Sequence, residues 1–152
     1  MQHRQSLNTC RAVLALTCWA LSPTMGLAQE ASVWDGVYTK VQAESGKRLF
    51  TTHCIACHSD EPGGVSGHGP APSVIGKDFN FRWVDTSIAD LFDVIRQTMP
   101  QAAPNSLSSQ EYADITAYLL QINAFPTGSA LLDPSDRERM LQTYIDATPP
   151  KG

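Results

Sequence analysis

Cys54, Cys57 and His58, in the run Cys54-Ile55-Ala56-Cys57-His58, bring two thiols and an imidazole within five residues. On a helical turn, Cys54 and Cys57 are three apart and Cys54 and His58 four apart, so the three side chains leave from nearly one face. Two thiols so placed can add to the two vinyl groups of a haem while the imidazole rises beneath the iron. C-x-x-C-H is the pattern of that covalent attachment.

Other chemistry can use the same residue types. A thioredoxin-type dithiol wants the pair at a helix start after a strand, in a βαβ setting that the surrounding pattern lacks. A structural zinc site needs four ligands, and beyond these three only His53 and His68 remain, with no second Cys pair. A simple disulfide uses the thiols alone. The histidine that follows, an export signal and helical surroundings together favour haem.

The export signal is the first 28 residues, and it comes off before fold is considered. His3, Arg4 and Arg11 give a positive start, Ala12 to Leu21 an apolar run too short to span a bilayer, and Gly26-Leu27-Ala28 small residues for cleavage after Ala28. Thr17 before Cys18 makes a poor lipobox. The boundaries expected are a signal peptide at 1–28, one domain at 29–126 and a C-terminal extension at 127–152. No other stretch is apolar enough to cross a membrane.

Of four cysteines, Cys10 and Cys18 leave with the leader, so only Cys54 and Cys57 reach an oxidising compartment. The leader takes two Lys/Arg and no acids from totals of 11 and 15, leaving a mature charge of −6 with His neutral. That balance argues against nucleic acid, which needs a basic face. A small exported domain without disulfides must be held together by something else.

The elements that would position the motif are readable on both sides of it. Glu44 to Phe50 leads straight into it, with Gly46, where another backbone can come close, four residues before Phe50. Ser108-Ser109-Gln110-Glu111 is a capping box, with Leu107 and Tyr112 placed as a hydrophobic staple. Ile115, Tyr118, Leu119 and Ile122 follow as an apolar stripe. A third helix from about Ser87 to Gln97 carries Ile88, Leu91, Phe92 and Ile95 on one face. Ser59 to Gly76 is Gly/Pro-rich without periodicity and reads as a loop.

A second axial ligand must come from Met99, Met140, His53 or His68. Pro100 cannot continue the third helix and pushes Met99 toward extended backbone, presenting it from a loop. His53 is too close to Cys54 to reach the opposite haem face. His68 keeps bis-His ligation as the rival. In the tail, Asp133-Pro134-Ser135-Asp136 reads as an N-cap with Pro at N1, opening a short helix with Leu141, Tyr144 and Ile145 toward the body.

From about Val33 to Phe125 the chain resembles the class I cytochrome c family. The resemblance implies an all-α fold of three to five helices wrapped around one covalent haem c. The helices of Gly46, Phe50 and Tyr118 would cross near the haem edge. Pro72, in Pro72-Ser73-Val74-Ile75-Gly76, would offer its carbonyl to the second nitrogen of His58; Pro70 is a near neighbour. Thr98-Met99-Pro100 matches the family's ligand loop, making Met99 the sixth ligand. Trp83 matches a position whose indole N–H reaches a haem propionate, with Phe79 and Phe81 helping to exclude water.

Function follows from filled axial positions. His and Met leave no site for oxygen or substrate, and Met raises the reduction potential, so the expectation is a single-electron carrier rather than an enzyme. A haem enzyme or gas sensor with an open iron is the contrasting class, and Met99 discriminates. A protein similar to cytochrome c′ would also carry its motif near the C-terminus of a four-helix bundle. Val33 to Tyr38, Leu91-Phe92 through Met99-Pro100, Ser106-Leu107-Ser108 and Asn123 to Pro126 resemble the cytochrome modules that accompany periplasmic quinoprotein dehydrogenases. That resemblance implies such a dehydrogenase as electron donor and a respiratory oxidase as acceptor. A fixed electron-transfer subunit of a dehydrogenase is the variant of this reading.

Overall fold

The computed structural model describes residues 31–58 and 71–149. The expected signal peptide at 1–28, and Pro70 and His68 of the Gly/Pro-rich loop, lie outside the described residues. The described chain runs β1 (Ala31–Ser32), α1 (Lys40–His53), α2 (Lys77–Trp83), α3 (Ile88–Thr98), α4 (Ser109–Ile122), α5 (Arg137–Gln142) and β2 (Thr143–Tyr144). One turn of 3-10 helix at Val33–Asp35 joins β1 to the body. No helix among the described residues is long and apolar enough to cross a membrane.

Local chemistry sets the helix starts. Thr39, Ser87 and Ser108 each cap a helix, accepting from the N–H three residues on. Ser87 and Ser108 complete capping boxes with Asp90 and Glu111, as read for the second of these. Starting α3 at Ile88 buries Ile88, Leu91 and Phe92 and leaves Ile95 at the edge. The apolar surface of α4 is wider than its stripe, because Tyr112, Ala113, Thr116 and Leu120 are buried too.

α1 and α4 cross at Gly46, and the crossing admits no side chain there. A Cβ at Gly46 would stand 1.8 Å from the Asp114 carbonyl oxygen and 2.9 Å from Tyr118 Cβ. One turn on, the Phe50 and Tyr118 rings pack with centroids 5.4 Å apart. The backbones therefore meet directly, and the aromatic pair fills the widening gap beside them.

Two expectations need correction. The stretch around Phe79, Phe81 and Trp83 forms α2, which the sequence did not announce. Phe79 and Phe81, two apart on this helix, face different ways, so Phe79 is buried against Phe125 while Phe81 is 92% exposed.

The tail helix starts later than expected, with Asp136 as N-cap and Arg137 as its first residue. Asp133 instead closes a turn, accepting from the Ser135 N–H and hydroxyl. The later start turns Met140 inward at 2% exposure and leaves Leu141 outside at 44%. Tyr144 and Ile145 then belong to β2 and the segment after it, rather than to the helix.

Where the sequence left the tail undecided, the structure packs it over the body. β2 pairs in parallel with β1, Ala31 opposite Thr143 and Ser32 opposite Tyr144. Ile145 exchanges hydrogen bonds with Asp85 and Thr86 at 3.0 and 2.9 Å. The Gln42 side chain holds both backbone groups of Leu132, at 2.8 and 2.9 Å. Arg137 pairs with Asp93 of α3. Leu132, Met140 and Ile145 are buried in the same core as α1 and α4, each worth about 1.5–3 kcal/mol of burial.

Candidate haem site

The Cys-Cys-His group sits just past the end of α1. Cys54 closes the helix, its N–H bonded to the Phe50 carbonyl at 2.8 Å. The chain keeps winding for one more turn, with the Cys57 and His58 N–H groups both donating to the Cys54 carbonyl at 3.0 and 2.9 Å. The expected single turn is present, and α1, pinned at Gly46, holds it in place.

His58 reaches back to the end of the long loop. Its Nδ1 lies 2.9 Å from the Pro72 carbonyl oxygen. A carbonyl only accepts, so Nδ1 carries the proton of this bond and Nε2 is the ring nitrogen left for a ligand. The segment bearing Pro72 is itself held from α4. Asn123 donates through Nδ2 to the Val74 carbonyl at 2.9 Å and accepts from the Gly76 N–H at 2.8 Å. Sequence reading missed Asn123; its position just past the last residue of α4 was the one available signal.

Both thiols are free. Burial, with Cys57 as a smaller influence, pushes the Cys54 thiol up to about 11. That shift is opposite in direction to the lowered attacking thiol of a dithiol oxidoreductase.

Met99 ends α3 with its N–H on the Ile95 carbonyl at 2.8 Å. Its φ of −126° and ψ of 151° are the extended backbone expected before Pro100. The buried Tyr112 hydroxyl donates to the Met99 carbonyl at 2.8 Å. The staple pattern announced the Tyr112 ring but not this reach of its hydroxyl. Met140, by contrast, is a core residue of α5. His53 closes α1 on the exposed surface, and Trp83 ends α2 half-buried against the core. The indole N–H of Trp83 has no hydrogen-bond partner among the described residues.

These residues fit a haem. A fixed imidazole offers Nε2, two free thiols stand on the adjoining turn, and Val74, Trp83, Ile95 and Leu107 pack on the core while staying partly open. An apolar macrocycle would cover such edges.

The all-α architecture, with its first and fourth helices crossing at a glycine, is that of a c-type cytochrome, a class whose haem serves electron transfer. The family described as cytochrome C oxidase, cbb3-type, subunit III matches residues 41–119, a little over half of the chain, and the chain belongs to it. The match spans nearly all of α1 through most of α4 and takes in Cys54, Cys57, His58, Pro72, Trp83 and Met99, with Asn123 just beyond it. Neither the curated proteins nor the solved structures gave a match.

Proposed function

We propose that this protein is a periplasmic single-electron carrier with one haem bound through Cys54 and Cys57 and ligated by His58 and Met99. The observation that carries the reading is the 2.9 Å bond from His58 Nδ1 to the Pro72 carbonyl, which presents Nε2 beside two free thiols. The haem, when bound, supplies a reversible one-electron change.

The chain's own residues do the rest. Cys54 and Cys57 would anchor the group, and His58 would ligate it with a ring whose tautomer and basicity the Pro72 carbonyl sets. Met99, from its extended backbone, would supply the second protein ligand, leaving no open position for oxygen or substrate. The N–H of Trp83, without a partner among the described residues, is compatible with a donor role toward a propionate. The location rests on the three-part leader before Gln29.

The partners follow from weaker signals. The likeness to cytochrome modules of quinoprotein dehydrogenases favours such an enzyme as donor. The matched family is described as an oxidase subunit, which favours a respiratory oxidase as acceptor. It also motivates a second reading, a fixed subunit of a redox complex; elution of the native protein at the mass of one chain would exclude it.

Absorption spectra of the purified protein in both redox states test the haem and its ligands. Met99→Ala is expected to abolish the charge-transfer absorption of Met-ligated ferric haem, lower the potential and admit cyanide or carbon monoxide. Met140→Ala, in the core, is expected to lower stability by about 2–5 kcal/mol and change none of these. An unaltered Met99→Ala spectrum would overturn the ligand assignment.

The donor is tested separately by stopped-flow mixing with substrate-reduced quinoprotein dehydrogenase from the same periplasm. Reduction within the enzyme's turnover time is expected, with the rate falling as salt rises if a basic face meets this acidic chain. Reduction far slower than turnover at every ionic strength would remove this partner.

A further inference from the structure

One buried hydroxyl ties both ends of the loop that carries Met99. Tyr112 is 1% exposed, and its hydroxyl donates to the Met99 carbonyl at 2.8 Å while accepting from the Leu107 N–H at 3.5 Å. Residues 99–108 connect α3 to α4, so the first residue of the connection and the last but one meet at the same oxygen. The loop's other ties lie elsewhere. Asn105 donates its N–H to the Arg96 carbonyl and accepts from Arg96 Nε, at 2.9 and 2.8 Å, and the Ala103 N–H reaches the Pro100 carbonyl at 2.8 Å. None of these touches the Met99 carbonyl.

The backbone of Met99 is thus held on both sides, its N–H by Ile95 and its carbonyl by Tyr112. A methionine side chain has three soft torsions and sets no direction of its own. The direction in which the thioether leaves the chain therefore depends on the backbone, and this hydroxyl is the hold on its carbonyl side, beside the Ile95 carbonyl and Pro100.

We propose that Tyr112 is a positioning residue that fixes Met99 for axial ligation, so that the thioether resists displacement by outside ligands. The proposal rests on Met99 being a ligand. It requires no contact between Tyr112 and the haem.

Imidazole titration of the ferric, haem-loaded protein tests it, with the Met-ligation absorption and the reduction potential read on the same samples. Tyr112→Phe removes one oxygen and keeps the ring. It is expected to raise imidazole affinity about fivefold, the equivalent of one neutral hydrogen bond of ~1 kcal/mol, and to lower the potential. Tyr38→Phe is the control, because it cuts another buried tyrosine hydroxyl, the one on the Phe125 carbonyl. It is expected to lower stability and leave imidazole affinity alone.

Equal effects of the two variants, or wild-type affinity in Tyr112→Phe, would overturn the positioning role while Met99→Ala still abolished the absorption. If Met99→Ala left the spectrum unaltered, the ligand reading and this one would fall together. An arm that needs no variant follows the Tyr112 hydroxyl proton by NMR. Slow exchange supports the tie, and exchange as fast as an exposed tyrosine's overturns it.

Discussion

The Tyr38 hydroxyl donates to the Phe125 carbonyl at 2.6 Å from a fully buried ring. Burial pushes its pKa up to about 12, against about 10 in an unfolded chain. Above about pH 10 the unfolded chain releases this proton while the folded one keeps it, so stability falls progressively up to about pH 12. Urea midpoints measured from pH 7 to 11 should show that fall, and Tyr38→Phe should flatten it. At neutral pH the variant should cost about 1 kcal/mol for the lost bond. Single residues were also where the sequence was most legible. The C-x-x-C-H spacing, the extended Met99 before Pro100 and the reach of His58 to Pro72 needed only local rules or a matched motif. The contacts of Tyr112 and Asn123 were not readable, because each joins positions that only tertiary packing brings together.

At the scale of elements, the meeting of α1 and α4 depends on one missing side chain. Gly46→Ala would force a methyl to within 1.8 Å of the Asp114 carbonyl oxygen, which is backbone and cannot rotate away. The helices would have to separate, unseating Phe50 from Tyr118. Thermal or urea unfolding of Gly46→Ala should show a loss of about 3 kcal/mol or more, and a wild-type midpoint would contradict this account of the crossing. Helices α3 and α4 were legible because a repeat of apolar positions, joined in α4 by a capping box, lies within one segment. α2 was not, since Gly76 and an alternating aromatic run carry neither signal. The tail helix was misplaced by three residues because Asp133 and Asp136 are equally good caps on paper. Burial of Met140 decides between them.

For the whole molecule, the tail is part of the core rather than an appendage. The matched family region ends at residue 119, yet Phe125, Leu132, Met140 and Ile145 beyond it are all buried. Gly36 and Gly128 illustrate the fit, since a Cβ on Gly128 would fall 1.8 Å from the Gly36 carbonyl oxygen. No local pattern predicts such contacts, and strands of two residues carry no periodicity to read. This is the part of the fold that the sequence left open.

The pairing of β1 with β2 also sets a clock. Trp34 and Asp146, which bond across this seam at 3.0 Å, stand 112 positions apart. A chain synthesised from its N-terminus delivers β1 first and leaves it waiting for nearly the entire chain. Contacts of such long range form late, after the entropy of a large loop has been overcome. Under the proposed attachment through Cys54 and Cys57, that turn would meanwhile stand on a chain not yet shut and open to haem. Pulse-labelling hydrogen exchange during refolding should show the β1 and β2 amides protected last, after those of α1 and α4; simultaneous protection would contradict this order.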